Sequence, residues 1–143
     1  MSRKRYEGFS LIEILVVVAL IIILATITIV AINPGKNFRD TRNAQRSADV
    51  NAILSAVTQY TTDGRALPAG INECDHVDGP SSIGTEGIDL TILTAEGQDY
   101  IVSIPTDPTD GTDAVTGYTI CTVGTRIQIA APKAEGKVIS VRR

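Results

Sequence analysis

Four groups of side chains have types and spacings that could carry chemistry. Phe9 and Glu13 stand four residues apart at the head of a long apolar run. Cys74 and His76 stand two apart, and a thiol beside an imidazole is the pairing a cysteine nucleophile needs. Asp107, Asp110 and Asp113 offer oxygen ligands of the kind calcium takes, within a segment rich in turn residues. Arg39, Arg42 and Arg46 recur at three- and four-residue spacing, the pattern of one helical stripe.

Most of this chemistry falls away on inspection. His76 is the only histidine, so any Ser-His-Asp or Cys-His arrangement would have to use it. Two residues in a Gly- and Asp-rich loop are more simply read as unrelated surface groups. Two cysteines and one histidine are too few for a zinc site unless a carboxylate joins them. The calcium candidates Asp107, Asp110 and Asp113 lack the spacing of a helix-loop-helix site, and Tyr118 stands where a bidentate glutamate would be needed. An ordinary solvated turn is the preferred reading there. No glycine-rich phosphate cradle is present. The expectation is a protein that is not an enzyme, with no cofactor and no metal. Cys74 and Cys121 are candidates for a disulfide if this part of the chain lies outside the cytoplasm. Spacing alone does not show that they meet.

The elements that must position these residues begin with Phe9–Ile32. These 24 residues are nearly all aliphatic and would span about 36 Å as a helix, more than the ~30 Å of a hydrocarbon core. The run is too long for the apolar part of an ordinary secretory signal. Arg3, Lys4 and Arg5 precede it, but Lys36, Arg39, Arg42 and Arg46 follow it, so charge does not decide orientation. Glu13 inside such a run costs on the order of 2.5–3.5 kcal/mol unless it has a partner. A cut after Gly8 would create a new amine on Phe9, on nearly the same helix face as Glu13. A neighbouring chain could then bring its amine to this carboxylate. The alternative is a carboxylate near the interface that reaches water and has no role.

Beyond Ile32, the segment Asn33-Pro34-Gly35 breaks the pattern. Either Asn33 caps a second helix with Pro34 in its first turn, or one long helix has a weak point here. The second is preferred. Residues 33–64 then read as an amphipathic helix, with Val50, Ile53, Val57 and Tyr60 as its apolar stripe and Arg39, Arg42, Arg46 and Asp49 on other faces. The arginines are either a solvated face or a contact for acidic residues of a neighbouring copy or lipid head groups. Residues 65–87 read as a long loop, and Ile88–Ile92 as a strand or a short helix. Tyr100–Ile104 is a short apolar element stopped by Pro105. Tyr118–Val123, Arg126–Ala131 and Lys137–Val141 read as three strands of an antiparallel meander packed on the helix. The chain has a formal net charge of -3, and loss of Met1–Gly8 would make it more acidic, which argues against a general nucleic-acid site.

Basic residues, then Gly8-Phe9-Ser10-Leu11-Ile12-Glu13, then an unbroken aliphatic run resemble the class III signal of bacterial type IV pilins and pseudopilins. The close resemblance covers residues 3–33. Weaker similarity lies in Ile104-Pro105-Thr106-Asp107-Pro108 and Gly117-Tyr118-Thr119-Ile120. It implies an α+β fold: a long N-terminal helix whose first half spans the membrane and whose second half packs on a small antiparallel sheet. It implies a leader, residues 1–8, that prepilin peptidase removes between Gly8 and Phe9, with N-methylation of Phe9. Residues 9–32 would be the transmembrane and fibre-core helix, 33–64 the spine, and 65–143 the globular loop and sheet.

The resemblance further implies that Glu13 pairs with the Phe9 amine of a neighbour. The partners would be the chain itself as a helical homopolymer, the peptidase, the inner-membrane pilus assembly machinery, and membrane lipid before assembly. The precursor would sit in the inner membrane and the product in an extracellular filament. The function so implied is that of a major or minor pilin, serving adhesion, motility or secretion. The alternatives are a pseudopilin of a type II secretion or DNA-uptake system, and a single-pass anchored binding domain. The cysteines depart from the C-terminal disulfide loop seen in several pilins. A Cys74–Cys121 bond would instead tie the middle loop to the first meander strand.

Overall fold

The computed structural model describes residues 8–95 and 100–143. Met1–Glu7, most of the expected leader, lies outside the described residues. The chain divides into two compact units, Met1–Phe38 and Arg39–Arg143.

In the first unit, Leu11–Ile32 forms helix α1, with Ser10 in extended conformation at its N-cap. Its mean hydropathy is 3.3 and none of its residues is buried. By length and composition it can cross a membrane. The helix ends at Asn33, whose φ of 48° and ψ of 73° are left-handed. Asparagine tolerates this conformation better than other residues with a Cβ. A new helix starts at once, so the continuous helix preferred from sequence is two helices. The physical reason is Pro34: it has no N–H for the preceding turn and is best placed at a first helical position. Asn33 caps the restart. Lys36 donates its backbone N–H to the Asn33 carbonyl at 3.1 Å and to its side-chain Oδ1 at 3.3 Å.

Pro34–Thr62 forms helix α2. Its buried residues include Asn43, Arg46, Val50, Ile53, Val57 and Tyr60, a single stripe at alternating three- and four-residue spacing. The apolar half matches the expected stripe. The polar half does not: Arg46 and Asp49 are buried rather than solvated.

Four strands follow: β1 Ser81–Ser82, β2 Thr119–Val123, β3 Arg126–Ala131 and β4 Ile139–Arg142, antiparallel in the order β1-β2-β3-β4. The last three correspond to the expected meander. β1 lies inside the segment expected to be loop, too short for any alternation to be read. Thr91–Leu93 is a 3-10 helix, the second of the two readings for that stretch. Gly124, at φ 60°, opens the two-residue turn between β2 and β3, a position where a side chain would be strained.

Register explains the core. Ile120 pairs with Ile129, and Ile129 with Val141. These residues share one face of the sheet and join Val50, Ile53 and Val57 of α2 in a single buried cluster. Cys121 therefore points to the opposite face, yet only 1% of it is exposed. The middle loop covers it: Cys74 donates its backbone N–H to the Thr122 carbonyl, and Thr122 donates its own to Asn72. Cys74 and Cys121 are joined in a disulfide across a sequence separation of 47. On a chain-entropy basis such a loop closure stabilises by about 4 kcal/mol. Reduction, or Cys74→Ala with Cys121→Ala, is expected to lower the thermal midpoint by well over ten degrees, measured by circular dichroism with and without reductant.

Candidate functional site

Two places gather the functional candidates: the N-terminal end of α1 and the polar end of the buried stripe on α2.

At the first, Glu13 occupies the first turn of α1. Its backbone N–H and that of Ile14 are satisfied by the Ser10 carbonyl at 3.0 and 3.2 Å. A carboxylate there faces the positive end of the helix dipole, which lowers the cost of placing it in an apolar helix. Among the described residues no ion pair or hydrogen bond engages its side chain. Phe9 precedes the helix and is 79% exposed.

At the second, a buried cluster links three distant parts of the chain. Arg46 is 1% exposed. Its Nε donates to Asp107 Oδ2 at 2.7 Å, and Nη2 donates to Asp107 Oδ1 at 3.1 Å and Thr109 Oγ1 at 2.8 Å. Nη1 donates to Asn43 Oδ1 and Glu135 Oε1, both at 3.2 Å. The fork is thus fully used, which is what allows a guanidinium to be buried. Arg42 grips Glu135 with two bonds of 2.6 Å. Asn43 Nδ2 donates to the Glu135 carbonyl and Asn43 Oδ1 accepts the Glu135 backbone N–H. Alongside, Tyr118 donates its hydroxyl proton to Asp49 Oδ2 at 2.6 Å, and Gln45 donates to Asp49 Oδ1.

Local backbone geometry delivers Asp107 to Arg46. Its N–H donates to the Thr116 carbonyl at 2.7 Å, closing the 107–116 loop. A Cβ on Gly111 would lie 2.2 Å from the Asp107 nitrogen, and one on Gly117 2.7 Å from the Asp107 Cβ. Only glycine lets the loop close this tightly.

The electrostatics follow. Burial pushes the Asp107 carboxyl up, but hydrogen bonds from Arg46 and the Thr109 N–H outweigh it and hold it below its ordinary value. The Arg42 hydrogen bonds, helped by Arg46, hold Glu135 down to about 2 from 4.5. Burial and the bond to Asp49 push the Tyr118 phenol up, so it stays protonated and donating.

The expected basic stripe is corrected on this evidence. Arg46 serves the interior of the second unit, Arg42 pairs with Glu135 at its partly exposed edge, and only Arg39 of the three is exposed and outside the ion pairs found. The signal was weak in sequence because their partners lie some 60 and 90 residues away.

The remaining candidates do not converge. Asp107 is spent on Arg46, Asp110 accepts from Lys133 at 2.6 Å, and Asp113 is exposed elsewhere. Among the described residues, no group of three or more His, Cys, Asp or Glu side chains is placed to hold a metal ion. The disulfide consumes the Cys74 thiol, so the Cys74–His76 nucleophile pair does not exist. His76 Nδ1 instead accepts the Asp78 N–H.

Removing one partner of a buried ion pair leaves the other uncompensated and costs roughly 3–5 kcal/mol. Arg46→Met is expected to lose stability on that scale in urea denaturation, and the double variant Arg46→Met with Asp107→Leu to recover part of it. Acid should act on the same cluster. Both carboxyls titrate lower in the folded than in the unfolded chain, so their stabilisation is complete above the ordinary carboxylate range and lost as pH falls through the folded values. The urea midpoint is expected to fall from pH 4.5 toward about 2, and Glu135→Gln to flatten part of that fall.

A family model described as the prokaryotic N-terminal methylation motif matches residues 3–29. No solved structure matches the chain. The chain thus carries the prokaryotic N-terminal methylation motif, leading into an apolar helix, a second helix and a small antiparallel sheet, an α+β arrangement consistent with the pilin fold.

Proposed function

We propose that the chain is a structural subunit of a type IV pilus-like filament. The observation that carries the reading is the methylation motif opening a fully exposed apolar helix with one carboxylate in its first turn. Residues 1–8 are the leader, cut between Gly8 and Phe9 by prepilin peptidase, and the Phe9 amine is methylated. Residues 9–32 anchor the precursor in the inner membrane and then form the filament core. Residues 33–64 are the spine, and 65–143 complete the domain displayed outside the cell. The protein catalyses nothing; it is itself the peptidase's substrate.

Glu13 sets the physical constraint. An unpaired carboxylate in an apolar helix is costly both in lipid and in a dry filament core. The nearest charge the processed chain can offer is the Phe9 amine. Within one chain Phe9 precedes the extended Ser10 cap and lies outside α1, so the same-face placement expected from sequence is not what the structure has. Between chains, an axial shift brings the amine of one to the Glu13 of the next, which sets register. Membership of a filament also gives the exposed side chains of α1 somewhere to go when the subunit leaves the bilayer: against copies of themselves.

Mass spectrometry of the mature N-terminus is expected to find methyl-Phe9 as the first residue. Retention of Arg3–Gly8 in cells with an active peptidase would overturn the reading in favour of a plain membrane anchor. In the same cells, Glu13→Ala is expected to leave membrane insertion intact and abolish sheared filaments.

A further inference from the structure

The charges of the second unit are segregated along the chain. Between Arg65 and Arg126 there are ten Asp or Glu and no Lys or Arg. Two of those carboxylates, Asp107 and Asp110, borrow cations from outside the segment. Asp89 and Asp113 do not. They stand beside a half-open cleft of about 200 Å3, with Ile83, Leu90 and Ile104 among its apolar lining. Ile83 and Leu90 are buried, whereas Val102 at the same cleft is 99% exposed. One Asp89 oxygen accepts the Thr91 N–H at 2.9 Å. The Asp113 backbone is fixed by Thr85, which donates to its carbonyl at 3.0 Å. Among the described residues, no cation pairs with either side chain.

A cleft with an apolar lining and carboxylates at its edge suits a side chain with an aliphatic stem and a cationic head. The chain has few such side chains to spare. Arg42, Arg46, Lys133 and Lys137 are each paired with a carboxylate, Arg142 with Gln128, and Arg65 lies over the Tyr60 ring. Among the described residues Lys36, Arg39, Arg126 and Arg143 are exposed and outside every ion pair found; of the two on α2, Arg39 alone carries the planar fork that can meet two carboxylates at once. It also follows closely on the segment proposed as the filament core, where copies are held side by side.

We propose that the Asp89/Asp113 cleft is a docking site for Arg39 of a second copy of this chain. The stem of Arg39 covers the apolar lining and Val102, and its guanidinium meets the carboxylates of Asp113 and Asp89. The contact joins two different patches, so it is heterologous and repeats without closing, as a filament requires. Each copy offers one donor and one acceptor. The proposal rests on the polymer reading above.

The test uses charge exchange in the full chain, with filaments sheared from cells and membrane levels measured by immunoblot. Arg39→Glu and Asp113→Arg, each alone, are expected to reduce filament yield roughly tenfold at unchanged membrane level. The double variant restores the contact with its signs reversed and should recover most of the yield. Arg126→Glu, at another exposed cation, should have little effect. Normal yields from both single variants, a double no better than the singles, or an equal loss with Arg126→Glu would each overturn the contact while leaving the polymer reading in place. If the unaltered chain forms no filament under assembly conditions, the polymer reading fails and the contact with it.

Discussion

The second unit depends on one buried guanidinium. Arg46 joins the first half of α2 to the 107–116 loop through Asp107 and to the β3–β4 turn through Glu135. Those segments share no periodicity with α2 and bring little apolar surface to it at that end. What holds them there is the geometry of a planar fork with five donors, each of which has an acceptor. Among the described residues, no buried side-chain nitrogen or oxygen lacks a partner. Such a cluster need not add much net stability over an apolar core of the same shape. It does specify one arrangement, because any slip of the loop or the turn would leave a charge buried and alone.

The stripe on α2 therefore does two jobs in sequence. From Val50 to Tyr60 it buries aliphatic and aromatic surface against Ile120, Ile129 and the loop residues. From Asn43 to Asp49 the same face carries hydrogen-bonding groups. The non-directional half supplies the driving force, at about 25 cal/mol for each Å2 removed from water. The directional half fixes where the loops lie. The disulfide adds a third constraint on the far face of the sheet, where Cys121 would otherwise be an isolated apolar residue facing solvent.

The first unit follows a different logic. None of the residues of α1 is buried. Its stability must come from outside, first from lipid and then, in the proposed filament, from other copies. The left-handed turn at Asn33 separates these two regimes in the backbone itself, between a helix built for an apolar solvent and one that folds with its own domain.

Sequence alone determined what depends on neighbours in the chain. A run of aliphatic residues must be a membrane-compatible helix whatever surrounds it, and Gly8-Phe9 with Glu13 is a local pattern. Alternating β-branched residues announced β2, β3 and β4, and Pro34 marked an interruption, although the preferred reading of one long helix with a weak point gave way to two helices divided at Asn33. Only the tertiary structure decided the fates of Arg42, Arg46 and Asp49. A polar residue is buried when distant groups complete its hydrogen bonds, and those partners sit at 107, 118 and 135. It also decided that Asp107 is a structural anion rather than a metal ligand. It brought Cys74 to Cys121, because loop closure depends on a backbone path that no spacing encodes.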